Sequence, residues 1–137
     1  MNVSLPVVSV ITACFNDGQY LPEAVLSFAQ HAPDYCELII VNDGSTQAKT
    51  RRVLNHLAQR GFSVLDLPHG GLSRARNAGI AAARGRYILP LDARSRAAAR
   101  VDPVLQTASN AESRLKDGIK RRGLGICILS MHILLRK

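Results

Sequence analysis

Residues Glu37–Thr46, ELIIVNDGST, change character halfway along. Leu38 to Val41 is an unbroken aliphatic run, the pattern of a strand covered on both faces; Asn42-Asp43-Gly44-Ser45 then supplies residues that favour a tight turn. The same alternation recurs on either side. Upstream, VVSVITA (Val7–Ala13) reads as a strand and CFNDGQ as a loop. A helix follows, with Pro22 in its first turn and Leu21, Ala24, Val25 and Phe28 as its buried stripe. Downstream, Ser45 or Thr46 is placed to cap a second helix that turns Val53, Leu54 and Leu57 inward, runs to Gln59 and stops at Gly61. FSVLDL is a third strand, PHGG a loop, LSRARNAGIAAAR a third helix closed by Gly85, and RYILPL a fourth strand.

This order predicts an α/β fold: a Rossmann-like parallel sheet of about four strands with flanking helices and right-handed crossovers, incomplete on its C-terminal side. Ligands of such sheets sit at the carboxyl ends of the strands. That rule selects CFND, NDGS, PHGG and DAR, three of which carry an aspartate: Asp17, Asp43 and Asp92.

The chain of 137 residues suits one domain and one site. Its net charge of +8 is unevenly spread: residues 1–93 hold 8 Lys/Arg against 7 Asp/Glu, and residues 94–137 hold 10 against 3. Residues 1–93 therefore read as the α/β unit and 94–137 as a divergent basic tail of unspecified packing. Within the tail, residues 102–122 have helical character and the last fifteen residues suit a strand or short helix. The tail lacks interleaved aromatics, so Lys120–Arg122 reads as a solvated patch and nucleic acid is not an expected partner. A basic nucleic-acid or membrane-surface module is the alternative. No apolar run reaches the roughly 18 residues of a membrane span, and the N-terminus lacks a signal-peptide pattern. A cytoplasmic location is expected, with the inner membrane face as its variant. Cys14, Cys36 and Cys127 form no CxxC and read as buried thiols of a reducing compartment. His31, His56, His69 and His132 lack the spacing of a helical metal site and read as surface or loop residues.

The loops also carry chemistry. A uracil-type base needs an acceptor for its ring N–H and a flat surface to stack on, which Asp43 and Phe15 can supply. GGLSRARNAG sets glycines and then cationic side chains at the start of a helix, a combination suited to a diphosphate. It has neither the lysine of a Walker loop nor GxGxxG spacing.

Taken together, VSVITACFNDGQYLPEAVLSFAQ, ELIIVNDGST and GGLSRARNAGIAAARGRYILPLDA resemble, in order and spacing, the N-terminal nucleotide-binding half of the family 2 glycosyltransferases of GT-A fold, over about residues 5–93. The resemblance implies transfer, with inversion, from a nucleotide-diphospho-sugar donor (a UDP-sugar) to a saccharide, lipid or protein acceptor. It places Thr12, Ala13 and Phe15 around the base and Asp43 on its ring nitrogen, with Asn42 where the family commonly has another aspartate. Arg76 and Asn77 match the family's Arg-Asn pair: Arg76 is expected on the ligand, whereas Asn77 and Gly79 equally suit close helix–sheet packing and Arg74 reads as solvated. Glu23 matches an acidic residue that supports the nucleotide loop; as simple helix N-terminal electrostatics it is worth ~0.3–1 kcal/mol. Asp92 opens an Asp-X-Asp motif whose second carboxylate binds Mn²⁺ or Mg²⁺ in the family. Here that position is Arg94, which cannot ligate a cation.

Inverting transfer also needs a general base, which the family places in its second half. Asp102, Glu112 and Asp117 follow Asp92 in no matching context, and none is assigned this role. The shift to Ala/Arg/Ser-rich sequence after Ala93 suggests a truncated or frame-shifted glycosyltransferase, with an inactive remnant as the alternative. Translation of the coding DNA in the other two frames beyond codon 92 is expected to yield a second acidic residue and acceptor-domain sequence; two frames without them refute the shift.

Overall fold

A computed structural model of the chain describes residue 6 and residues 8–32, 34–93, 127–129 and 132–136. Along these run β1 (Val8–Cys14), α1 (Leu21–His31), β2 (Cys36–Asp43), α2 (Ala48–Gln59), β3 (Ser63–Leu67), α3 (Leu72–Ala82), β4 (Tyr87–Asp92), β5 (Cys127–Leu129) and β6 (His132–Arg136). The sheet order is β3-β2-β1-β4-β6-β5. β1 to β4 form the expected four-stranded parallel sheet, with helices on both faces. β6 adds to β4 antiparallel, pairing Tyr87 with Arg136 and Ile88 with Leu135, and β5 pairs with β6. The helical reading of residues 102–122 lies outside the described residues.

Chain direction explains which helix covers which face. The first two crossovers step one way, from β1 to β2 to β3, and the third returns past both to reach β4. Right-handed connections therefore put α1 and α2 on one face and α3 on the other. Strand alternation divides the core accordingly. Val8, Val10, Cys14, Leu38, Ile40, Leu89 and Leu91 pack with Leu21 and Val25 of α1 and Leu54 and Leu57 of α2. Ile11, Ile39, Val41 and Ile88 pack with Ala75 of α3. Gly79 lets α3 approach closely, since a Cβ there would lie 2.5 Å from Ile11 Cγ2. The buried stripes of α1 and α2 match those expected from helical spacing, with Pro22 in the first turn of α1.

At the amino ends of the strands a polar lock ties β1, β2 and the α3–β4 connection together. Glu37 Oε1 accepts from Ser9 Oγ and, at 2.7 Å, from the Arg84 amide, while Oε2 accepts from Arg84 Nε at 2.9 Å. The Gly85 amide donates to Ser9 Oγ at 2.8 Å. Burial by itself would raise the Glu37 carboxyl. The hydrogen bonds from Ser9 and Arg84, together with the Arg84 charge, outweigh it and hold the group below its ordinary value of 4.5. Burial pushes the Cys36 thiol up to about 12 and raises that of Cys14, so neither is a reactive thiolate near neutral pH.

A depressed carboxyl contributes stability above its unfolded value and loses it as pH falls through the folded value. Urea denaturation between pH 7 and pH 3 is therefore expected to show an acid-side loss of stability that Glu37→Gln flattens, the variant being less stable than wild type at pH 7 by about 1–3 kcal/mol.

Candidate functional site

The direction of the chain reverses at β1, which has β2 on one side and β4 on the other. The crevice at the carboxyl ends of these strands is the position where open α/β sheets bind ligands. Ala13 and Asp92 face each other in register across β1 and β4, and Cys14 and Asn42 across β1 and β2. Thr12 lies one residue below this rim, between Ile40 and Leu91, with its buried hydroxyl lacking a partner among the described residues.

The β2 turn is held from both sides. Asn42 Oδ1 accepts the Ser45 amide at 3.0 Å, closing an Asx-type turn, and its Nδ2 donates to Asp66 at 2.8 Å. Gly44 has φ +69°, and a Cβ there would strike the His69 backbone at 2.5 Å, so the turn requires glycine. Asp43, 3% exposed, points to the opposite face. Its Oδ1 accepts the Gly70 amide and its Oδ2 the Gly71 amide, each at 2.9 Å. His69 Nδ1 lies 3.0 Å from the Asp43 carboxylate and 3.0 Å from its backbone carbonyl. The imidazole also stacks on Phe15, with ring centroids 4.1 Å apart and planes at 25°.

His69 is the site residue that sequence reading missed. It joins Phe15 after β1 to Asp43 at the end of β2, although the sequence shows only a histidine in a loop. Asn16 is a second omission. With φ +57°, which asparagine tolerates better than most residues, it accepts the Thr46 and Gln47 amides at 2.9 and 3.0 Å through Oδ1. Its own amide donates to Ser45 Oγ at 3.0 Å. This corrects the expected cap of α2: Gln47 is the N-cap residue and makes no side-chain cap bond. Ser45 is buried beneath the β1 loop, where its hydroxyl holds Asn16 and cannot cover the helix end.

On α3, Arg76 is half-buried and its buried Nε has no hydrogen-bond partner among the described residues. Asn77 and Arg74 are exposed, with Arg74 lying across Gly70. Glu23 is exposed in the first turn of α1. Asp92 ends β4 exposed, while Arg94 lies outside the described residues. No group of three His, Cys, Asp or Glu that could hold a metal ion occurs among the described residues. Hard cations such as Mn²⁺ or Mg²⁺ take several oxygen ligands, and Asp92 followed by Ala93 and Arg94 is a poor donor set for one.

The sequence profile of glycosyl transferase family 2 matches residues 9–95, well over half of the chain. An uncharacterised glycosyltransferase, EpsJ, of Bacillus subtilis is 37% identical over 86 residues, covering 61% of this chain and 25% of its own length. Chondroitin synthase of Pasteurella multocida is 33% identical over 90 residues, 64% of this chain and 9% of that protein. Among solved structures, S. aureus TarS 1–349 in complex with UDP-GlcNAc superposes with TM-score 0.61 at 22% identity, covering 87% of this chain and 37% of TarS 1–349. A mannosyltransferase of Pyrobaculum calidifontis in complex with GDP-Man and Mn²⁺ gives TM-score 0.59 at 21% identity, covering 85% of this chain and 34% of that one. The chain thus spans a quarter of EpsJ and little more than a third of either structure.

Asn16→Ala removes the acceptor for two amides and leaves a Cβ-bearing residue at positive φ. A stability loss of about 1–3 kcal/mol is expected in urea, with faster hydrogen exchange at Thr46 and Gln47. Asn16→Gly, which relieves the backbone alone, should recover only part of that loss.

Proposed function

The chain belongs to glycosyl transferase family 2, and from that premise we propose that residues 1–93 form a half-domain that binds the nucleoside diphosphate of a sugar donor, a UDP-sugar, at the carboxyl ends of β1, β2 and β4. The observation that carries this reading is the joining at neighbouring strand ends of an aromatic wall and a polar turn, Phe15 stacked with His69 and Asp43 bound to the α3 loop, with Arg76, whose buried Nε has no partner among the described residues, in the helix that follows that loop. The base packs beside Phe15 at the end of β1, next to Ala13. The diphosphate lies toward α3, where the helix N-terminus and Arg76 supply positive charge, and Asp92 faces the ribose. Asn42 acts through the turn it closes, Glu23 by supporting the β1 loop, and Asn77 by accompanying Arg76.

In the complete reaction an acceptor hydroxyl attacks the anomeric carbon as its bond to the diphosphate breaks, inverting the configuration and passing the hydroxyl proton to a carboxylate base. The described residues supply donor binding; the acceptor, whether saccharide, lipid or protein, and the base belong to segments outside them. Asp92 stands without a second carboxylate at position 94, which leaves a divalent cation too few oxygen ligands at this strand end. No helix among the described residues is long and apolar enough to cross a membrane. The proposed location is cytoplasmic, where nucleotide-sugars are made, with peripheral contact at the inner membrane face.

Isothermal titration with UDP is expected to give a saturable heat that is unchanged by Mn²⁺. Arg76→Ala should weaken binding roughly 10- to 100-fold, the effect of losing a charge-assisted hydrogen bond to phosphate. Absence of heat at millimolar UDP overturns the donor-binding reading, and a strong requirement for Mn²⁺ overturns the metal-independent part of it.

A further inference from the structure

We infer that the outward face of α2 is an electrostatic docking surface for an anionic lipid bilayer; the inference rests on the peripheral membrane contact proposed above and is independent of donor binding. Residues 1–93 hold 8 Lys/Arg and 7 Asp/Glu, yet between Asp43 and Asp66 stand four cations, Lys49, Arg51, Arg52 and Arg60, and no carboxylate. All four are exposed, as is His56. At 3.6 residues per turn, Lys49, Arg52, His56 and Arg60 fall within about 80° of one another around the helix axis and form a stripe about 16 Å long. This stripe lies outside the arc of the buried Thr50, Leu54 and Leu57.

Helix energetics do not account for these charges. The start of a helix favours carboxylates and disfavours cations, but the first turn of α2 holds Lys49 and no acidic residue, and Arg51 and Arg52 follow directly. Opposite charges three or four residues apart stabilise a helix, and α2 has no acidic residue with which to form such a pair. Lys49, Arg52 and Arg60 make no salt bridge among the described residues. Arg51 donates from Nη2 to the Thr46 carbonyl at 3.2 Å. The stripe is thus positive charge that the fold itself does not use.

A phosphate-bearing surface supplies the missing counter-charge, and the neighbouring helix indicates which kind. α1 covers the same face of the sheet. Its Leu26, turned away from the buried Leu21, Ala24 and Val25, is 57% exposed, and its one carboxylate, Glu23, leaves the two helices with a surplus of positive charge. Cations with an exposed aliphatic side chain beside them match a bilayer, whose headgroups carry phosphate and whose boundary region accepts leucine. α2 has no Phe, Tyr or Trp on which a nucleobase could stack, which weighs against nucleic acid. Like charge weighs against a second copy of the chain. Because α2 runs antiparallel to the strands, Lys49 lies at the end nearest the carboxyl rim and Arg60 at the far end. A bilayer against the stripe therefore lies alongside the sheet and leaves the rim open, at its edge, to a water-soluble donor.

Sedimentation of the whole chain with vesicles of phosphatidylcholine and phosphatidylglycerol in equal amounts tests the assignment, with pure phosphatidylcholine vesicles and duplex DNA as comparison probes. Wild type is expected to bind the anionic vesicles, to leave them as salt is raised, and to ignore phosphatidylcholine. The triple variant Lys49→Gln, Arg52→Gln and Arg60→Gln should match wild type in circular dichroism, since glutamine suits a helix, and in its heat of UDP binding. Its affinity for anionic vesicles is expected to fall roughly 100-fold, about fivefold for each cation removed. Lys120→Gln, Arg121→Gln and Arg122→Gln together remove the same charge from the tail and are expected to cost less. A loss below about tenfold in the α2 variant, or an equal or greater loss in the tail variant, overturns the proposal and leaves peripheral contact standing. Tighter binding of wild type to duplex DNA than to the anionic vesicles at the same salt gives the face to nucleic acid and also overturns it. No binding to anionic vesicles overturns the proposal and the peripheral location together, with the donor site untouched.

Discussion

The Asp43 carboxylate is the constraint on which the arrangement of the site depends. A carboxylate this deeply buried is costly unless its oxygens are hydrogen-bonded, and here the donors come from one short loop, at Gly70 and Gly71. Meeting that demand fixes the loop against the end of β2. It sets the conformation of Gly71, with φ +94°, and so the point from which α3 departs. The approach of α3 to the sheet at Gly79, against Ile11 and Val41, then follows from where the helix begins. A local electrostatic requirement at a strand end is thereby converted into the placement of an element that crosses the sheet.

The same device occurs twice. Neither the Gln47 N-cap of α2 nor the Gly71 N-cap of α3 makes a side-chain cap bond of its own. In each case the amides around the helix start are met by a side chain from elsewhere, Asn16 after β1 for α2 and Asp43 at the end of β2 for α3. Capping by sequence-distant residues costs chain entropy that a local Ser or Thr would spare. In exchange it ties neighbouring strand ends to the helix starts that rim the site, so that the rim holds its shape as a unit. The lock of Ser9, Glu37 and Arg84 does comparable work at the opposite end of the sheet, and the core between them is continuous on both faces.

These two kinds of contact also explain what was legible in the sequence. Strand and helix positions follow from periodicity, a local property, so β1 to β4, the buried stripes of α1 and α2 and the Pro22 helix start can be read residue by residue. The long-range caps cannot. Asn16 looks like an ordinary loop asparagine, and Ser45 looks like a helix cap because the sequence shows its proximity to α2 but conceals the β1 loop above it. His69 is hidden for the same reason: its neighbours Phe15 and Asp43 are distant in sequence, and only the strand order brings them together. Asp43 and Phe15 were visible because an acidic turn and an aromatic at neighbouring strand ends have meaning once a parallel sheet is assumed.

Asp43 also links two parts of the proposed site that a residue-by-residue account would separate. Through His69 it orients the wall beside Phe15; through Gly70 and Gly71 it sets the start of α3, and Arg76 sits one turn further along that helix. A change in how the Asp43 carboxylate is held therefore shifts the start of the helix that carries Arg76, because close packing transmits displacement. With Arg94 where a metal-binding carboxylate would stand, the proposed diphosphate site leans more heavily on Arg76 and the α3 N-terminus, and the start of that helix is set by the same buried carboxylate. In the proposed site, the orientation of the wall beside Phe15 and the position of Arg76 are thus coupled through one buried carboxylate.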